Sequence, residues 1–212
     1  MNLPKPYYQD GSVVLYHGDC REILPSLQID TLITDPVWPN ATAEIIGIDR
    51  PFELFNEMYS ALPNGIRRMA FHLGCDSDPL LLRCVTMPFF RVAWMEYVRP
   101  HYKGRVMYGS DVVYMYGDPP KSREGARVVP GRYIDSSSGG KEANHPCPRK
   151  LNHVRWIVRF WTDDNETVCD PFCGSGTTLL ACKLNSRSCV GIEIDERYCE
   201  IAANRLRQKV LF

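Results

Sequence analysis

Two short segments hold residue types that could do chemistry. The first is Asp35-Pro36-Val37-Trp38. It puts a carboxylate, a conformationally fixed backbone carbonyl and a flat aromatic face within four residues. That set suits an exocyclic amino group on a heterocyclic base, whose lone pair is delocalised into the ring and attacks poorly. The Asp35 carboxylate and a carbonyl near Pro36 would accept its two N–H bonds. The nitrogen would then move toward tetrahedral geometry, with its lone pair localised. Proline fixes the carbonyl direction, which is preorganisation. Trp38 offers a face for a base swung out of its stack. The tetrapeptide alone says little, because Asp-Pro is also a common turn and a tryptophan packs readily on a sheet edge.

The second segment runs Val168-Cys169-Asp170-Pro171-Phe172-Cys173-Gly174-Ser175-Gly176-Thr177-Thr178. Gly174 and Gly176 permit a tight turn and close approach of a ligand to backbone. Glu193 follows Asp170 by 23 residues, at the tip of the next expected strand. An acid there suits hydrogen bonding to ribose hydroxyls. A phosphate-binding loop would need a lysine before Ser or Thr, but here Thr177 directly follows Gly176. A dinucleotide fingerprint would need a third glycine. A nucleoside without phosphates remains, and S-adenosylmethionine fits, with its ribose, adenine and cationic sulfonium. Asp170 suits the cationic end.

These segments need a scaffold that presents strand ends. Apolar runs predict strands at Val13–Tyr16, Asp30–Thr34, Ile66–Leu73, Phe89–Tyr97, Asp111–Tyr116, Glu166–Asp170 and Ser188–Ile194. Helices are predicted over Cys20–Leu27, with Asp19 as N-cap, over Pro51–Leu62, with proline in the first turn, and over the short Pro79–Cys84. Further helices are predicted over Leu151–Trp161, Thr177–Leu184 and Glu196–Val210. The alternation implies an α/β fold with a mainly parallel sheet. Residues 117–148 are rich in Gly, Pro, Ser, Lys and Arg and read as a long irregular segment, of the kind that is usually functional or mobile.

The chain of 212 residues suffices for one domain with a proper core. No apolar run reaches the roughly 20 residues that span a bilayer, and Met1–Asp10 lacks the apolar stretch of a secretory signal, so the cytoplasm is expected. Nine cysteines without a paired C-x-x-C read as reduced, buried thiols, and no metal is expected. Net charge is zero, yet from Arg99 to Arg159 twelve basic residues face five acidic ones. A phosphate-facing stripe is expected there.

In order and content, these motifs resemble the amino-methylating DNA methyltransferases of the permuted β class. In that family a D-P-P-Y motif comes first and a D-P-F-x-G-S-G-T cofactor loop comes last. Tyr16-His17-Gly18-Asp19-Cys20 is similar to the family's N-terminal strand-turn, whose acid contacts the cofactor adenine. His145-Pro146-Cys147-Pro148-Arg149-Lys150 is similar to its H-P-x-x-K-P segment, with Arg149 at the lysine position. Val37 and Trp38 depart from the second proline and the tyrosine. Val37 would loosen the loop, whereas Trp38 still stacks. The resemblance implies a Rossmann-like S-adenosylmethionine-dependent fold with a seven-stranded, mainly parallel sheet and helices on both faces. It implies one domain over 1–212, with a short target-recognition insertion at about 99–144.

The implied catalytic residues are Asp35, Pro36, Val37 and Trp38. The implied cofactor residues are Asp19, Cys20, His145, Pro146, Asp170, Phe172, Gly174, Ser175, Gly176, Thr177, Glu193 and Ile194. Arg99, Lys103, Arg105, Lys121 and Arg123 are candidates for DNA contact. The expected substrate is double-stranded DNA, methylated at adenine N6 because the family's cytosine N4 members tend to carry Ser where Asp35 stands. Homodimerisation to complete the DNA contacts and a restriction-modification context are compatible with the resemblance. Cytosine N4 or RNA methylation, or a catalytically weak regulator that binds cofactor or DNA, are the alternatives.

Overall fold

The computed structural model describes residues 3–39, 47, 49–122, 130–135 and 149–208, with backbone only at 98–101, 103 and 108. Nine strands form one sheet: β1 (Tyr8–Asp10), β2 (Val13–His17), β3 (Thr31–Thr34), β4 (Arg68–Gly74), β5 (Phe89–Lys103), β6 (Val106–Gly117), β7 (Arg132–Asp135), β8 (Thr167–Asp170) and β9 (Ser188–Glu193). Their order across the sheet is β1-β2-β9-β8-β3-β4-β6-β5-β7. From β2 to β4 all neighbours are parallel. All four residues of β3 are buried, as expected of a central parallel strand covered on both faces.

Among the described residues, five α-helices cover the sheet: α1 (Cys20–Ile23), α2 (Pro51–Ser60), α3 (Leu151–Trp161), α4 (Thr177–Leu184) and α5 (Glu196–Arg207). Ile157, Leu179 and Ala202, from α3 to α5, pack with Ile33, Val113 and Met115 on one face. Leu24, Phe55 and Met58 pack with Leu32, Phe71 and Leu73 on the other. The helices of the C-terminal third thus form one layer and the earlier helices the second, which is the doubly covered architecture expected. Among the described residues, no helix is long and apolar enough to cross a membrane.

Among the described residues the sheet has nine strands rather than the seven expected. The additions lie at its edges: β1 pairs antiparallel with β2, and β7 pairs parallel with β5 inside the stretch read as irregular. β5 and β6 also run well past their predicted ends and form a long hairpin, turning at Gly104 with φ +61. Polar residues such as Arg99 and Lys103 interrupt the apolar pattern there. Antiparallel partner strands still pair the backbone groups, so pairing outlasts the hydrophobic signal. The predicted helix from Cys20 is a single α turn followed by a 3-10 turn at Leu24–Ser26, where Pro25 supplies no N–H. Pro79–Cys84 is likewise 3-10. α3 and α4 keep their predicted bounds.

Candidate active site

The site lies at the C-terminal ends of the parallel strands, where open α/β sheets bind ligands. β3 and β8 are direct neighbours, so Asp35 and Asp170 leave the sheet side by side although 135 residues separate them. The Thr34 hydroxyl donates to Asp170 Oδ1 at 2.7 Å, and the Phe172 amide donates to the same oxygen at 3.1 Å. Asp170 is 3% exposed. Burial pushes its carboxyl up to about 6 against the bonds from Thr178, Thr34 and Phe172, and the Asp35 charge adds to the rise.

Past Asp170 the chain turns through Gly174 and Gly176, with φ +50 and +79, before α4 begins at Thr177. A Cβ on Gly176 would stand 2.8 Å from the Ala202 Cβ, so this glycine is required both by conformation and by the contact with α5. Glu193, at the end of β9, accepts from the Gly174 amide at 2.8 Å and from the Asp195 amide at 2.9 Å. Its burial raises its carboxyl, opposed by these backbone bonds. Arg205 of α5 donates to the Ser175 carbonyl at 2.7 Å and to the Thr177 hydroxyl at 3.2 Å. The glycine turn is therefore braced by β9 and α5.

A cleft of about 1070 Å³, counting its open mouth, joins both motifs. Asp35, Pro36, Val37 and Trp38 line it together with Asp170, Phe172, Gly174, Ser175, Thr177, Glu193 and Ile194. Gly176 is absent from the lining and acts beneath it. Asp19, Cys20 and Arg21 border a second, adjacent cleft, and Phe172, Glu193 and Ile194 border both. Asp19 caps α1 through the Arg21 amide and also holds the Arg21 side chain, which reaches on to Glu57. His145, Pro146 and Arg123 lie outside the described residues, as do the side chains of Arg99 and Lys103. Arg105 and Lys121 are exposed, Arg105 at the hairpin turn and Lys121 just past β6.

Sequence reasoning placed Arg149 in the basic stripe, but the structure places it inside. Its Nε donates to Asp35 Oδ2 at 2.8 Å and its Nη2 to Asp35 Oδ1 at 2.9 Å. Its Nη1 lies 2.9 Å from Asp111 Oδ2, and its guanidinium carbon 4.9 Å from the Trp38 ring centre. Burial opposes the Arg149 charge, but Asp35 and Asp111 hold its pKa well above the ordinary value. Asp111 also accepts from the Tyr97 hydroxyl and stands 3.3 Å from His72 Nε2. Burial would raise Asp111, but Arg149, His72 and Tyr97 together hold it well below the usual range. Burial and the neighbouring His72 depress His153 to about 4. The only sequence signal for Arg149 was its place in the H-P-x-x-K-like segment.

His72, Asp111 and His153 bring potential metal ligands within 4.8 Å of one another, a grouping the sequence did not suggest. The buried guanidinium beside Asp111 repels a dication, so the trio belongs with the support of Arg149. Val37 is 8% exposed and packed, although its position lacks the ring constraint of a second proline. The cleft lining carries Asp35, Asp170, Glu193 and Asp195 against Arg149 and Arg197. This excess of acids and the buried, raised Asp170 suit a ligand with cationic groups and no phosphate.

Comparison with known proteins points the same way. The sequence profile of the N6/N4 methyltransferase family, described as "DNA methylase", matches residues 100–204. The type II methyltransferase M.ScaI of Streptomyces caespitosus is 24% identical, across 96% of this chain and 84% of its own length. The orphan methyltransferase M.BamHII of Bacillus amyloliquefaciens is 43% identical over a shorter stretch, 39% of this chain and 31% of the relative. Among solved structures, the M1.HpyAVI–SAM complex matches with TM-score 0.72 at 23% identity, over 92% of this chain and all of the other. The cytosine-N4-specific PvuII DNA methyltransferase matches with TM-score 0.74 at 17% identity, over 98% of this chain and 91% of the other.

Proposed function

Because this chain belongs to the N6/N4 DNA methylase family, we propose that it methylates the exocyclic N6 of adenine in double-stranded DNA, with S-adenosylmethionine as donor. The bound cofactor supplies an electrophilic methyl group on a sulfonium. The protein's own residues do the rest.

Asp170 supplies negative charge toward the cationic end of the ligand, and Glu193 keeps acceptor capacity for ribose hydroxyls beyond its two backbone bonds. Phe172 and Ile194 give apolar walls between the two clefts, and Asp19 and Cys20 border the second, on the adenine side. Gly174, Ser175 and Thr177 leave the turn open to the ligand. The Asp35 carboxylate accepts one N–H of the target amine, and the Pro36 carbonyl accepts the other. Both acceptors strengthen as positive charge develops on the nitrogen, which favours the transition state over the ground state. Trp38 stacks on the flipped base. Arg105 and Lys121 contribute phosphate contacts from the hairpin side, with Arg99, Lys103 and Arg123 of the same segment.

The observation that carries this reading is the cleft that places Asp35 and the glycine turn against each other at neighbouring strand ends. The choice of adenine rests on an aspartate at position 35. The test is to methylate DNA from a methylation-deficient host with purified protein, digest it, and identify the nucleosides by mass spectrometry. N6-methyladenine is the expected product. N4-methylcytosine would reassign the base, and unmodified DNA from protein that binds cofactor would reject the reading.

A further inference from the structure

We infer that Arg149, backed by Asp111, is the positioning residue that aims the Asp35 carboxylate and the Trp38 ring at the target base without neutralising the acid. The inference rests on the proposed role of Asp35 as acceptor of the amine.

The geometry is a fork. Two parallel bonds from Arg149 to the two oxygens of Asp35 fix both the position and the plane of the carboxylate. Each oxygen keeps a second lone pair for the amine. The same guanidinium lies against the Trp38 ring, so one group sets the two parts that touch the base.

A lone arginine–aspartate pair would be electrically neutral and a weak acceptor. Here the guanidinium is shared with a second carboxylate. Asp111 sits on β6, is 5% exposed, and is held by the Tyr97 hydroxyl and faced by His72. Two carboxylates share one guanidinium, so neither receives its whole charge. Asp35 therefore stays anionic in effect while its direction is fixed. The Arg149 Nη2 also reaches the His72 carbonyl at 3.5 Å, which ties the fork to β4. Lysine cannot reproduce this arrangement, because it presents a point charge and no planar fork.

The test compares steady-state methyl transfer to DNA from a methylation-deficient host by wild type, Arg149→Lys, Arg149→Gln and Asp111→Asn. Both Arg149 variants should lose roughly a hundredfold in kcat, the scale set by a misplaced catalytic group, with little change in KM for DNA. Asp111→Asn should also lower kcat, because the remaining pair is neutral. Arg149→Lys with wild-type kcat would overturn the inference, as would a loss confined to KM. Melting curves identify any variant that does not fold. If all of them fail, the wild-type protein decides: its Arg149 Nε–H proton, followed by NMR, should exchange far more slowly than those of exposed arginines, and equal exchange would overturn the fork. Asp35→Ala separates the two claims. If it transfers methyl as well as wild type, the role of Asp35 falls. If it is inactive while Arg149→Lys is fully active, only the positioning role falls.

Discussion

The Thr34 hydroxyl and the Asp170 carboxylate meet at 2.7 Å in the buried seam between β3 and β8, joining the last residue of one strand to the last residue of the other. Thr34→Val keeps the shape and removes the donor. It should destabilise the protein by about 1–2 kcal/mol, the usual cost of leaving a buried acceptor short of a partner. Urea unfolding reads this directly, and an unchanged midpoint would show that the bond contributes nothing to the seam.

Asp170 should make cofactor binding depend on pH. Burial first, opposed by bonds from Thr178 and Thr34, moves its carboxyl from 3.8 to about 6 in the folded chain. Folding therefore favours the protonated acid. This contribution to stability is full below pH 3.8 and is lost as pH rises through about 6. A cationic ligand favours the ionised form, so affinity for S-adenosylmethionine should rise as pH increases through the same window. Calorimetry from about pH 4 to about pH 8 should show a rise that levels off above about 6 and disappears in Asp170→Asn. That variant should also hold or raise the melting temperature of the ligand-free protein at pH 8, while binding cofactor more weakly.

Glu193→Ala should weaken cofactor binding by about 1–3 kcal/mol, from lost acceptors and a less firmly held turn. Glu193→Gln keeps one acceptor oxygen for the Gly174 amide and should lose less. Identical affinities for wild type and Glu193→Ala would take this residue out of the site.

Gly176 has φ +79 and no room for a Cβ beside Ala202. Gly176→Ala should destabilise the protein by about 1–3 kcal/mol, through a left-handed backbone and overpacking together. Because the added methyl presses on α5, hydrogen exchange in Glu196–Arg207 should speed up. A variant with native stability would mean that α5 can retreat freely.

The exposed cations of the hairpin side should appear in salt dependence. Arg105→Ala and Lys121→Ala should each reduce the slope of log affinity against log salt by about 1, if each meets one phosphate. Unchanged slopes would move the DNA track elsewhere.

The alternation of elements, the full bounds of α3 and α4, and the pairing of an early acidic loop with a late glycine turn were all legible in the sequence. They follow from period, capping and turn chemistry, which are local. The outer half of the β5–β6 hairpin and β7 were not, because their backbones are paired by neighbours while their side chains give no alternating signal. Arg149 was hidden for a related reason. Twelve basic residues in one stretch suggest a charged surface, and nothing local shows that one of them turns inward to Asp35 and Asp111. The charge sum could mark the region as basic but could not say which cations face solvent.

The order of strands across the sheet has a consequence for how the chain reaches this state. β8 and β9 come late in the sequence, yet they are inserted between β2 and β3. Until those last strands emerge from the ribosome, nothing joins the β1–β2 pair to the β3-β4-β6-β5-β7 half, and the apolar edges of β2 and β3 stay open. Folding must therefore wait for distant partners, which makes it slow and exposes the half-made sheet to association with other chains. Assembly of the active centre and closure of the core then become a single late event.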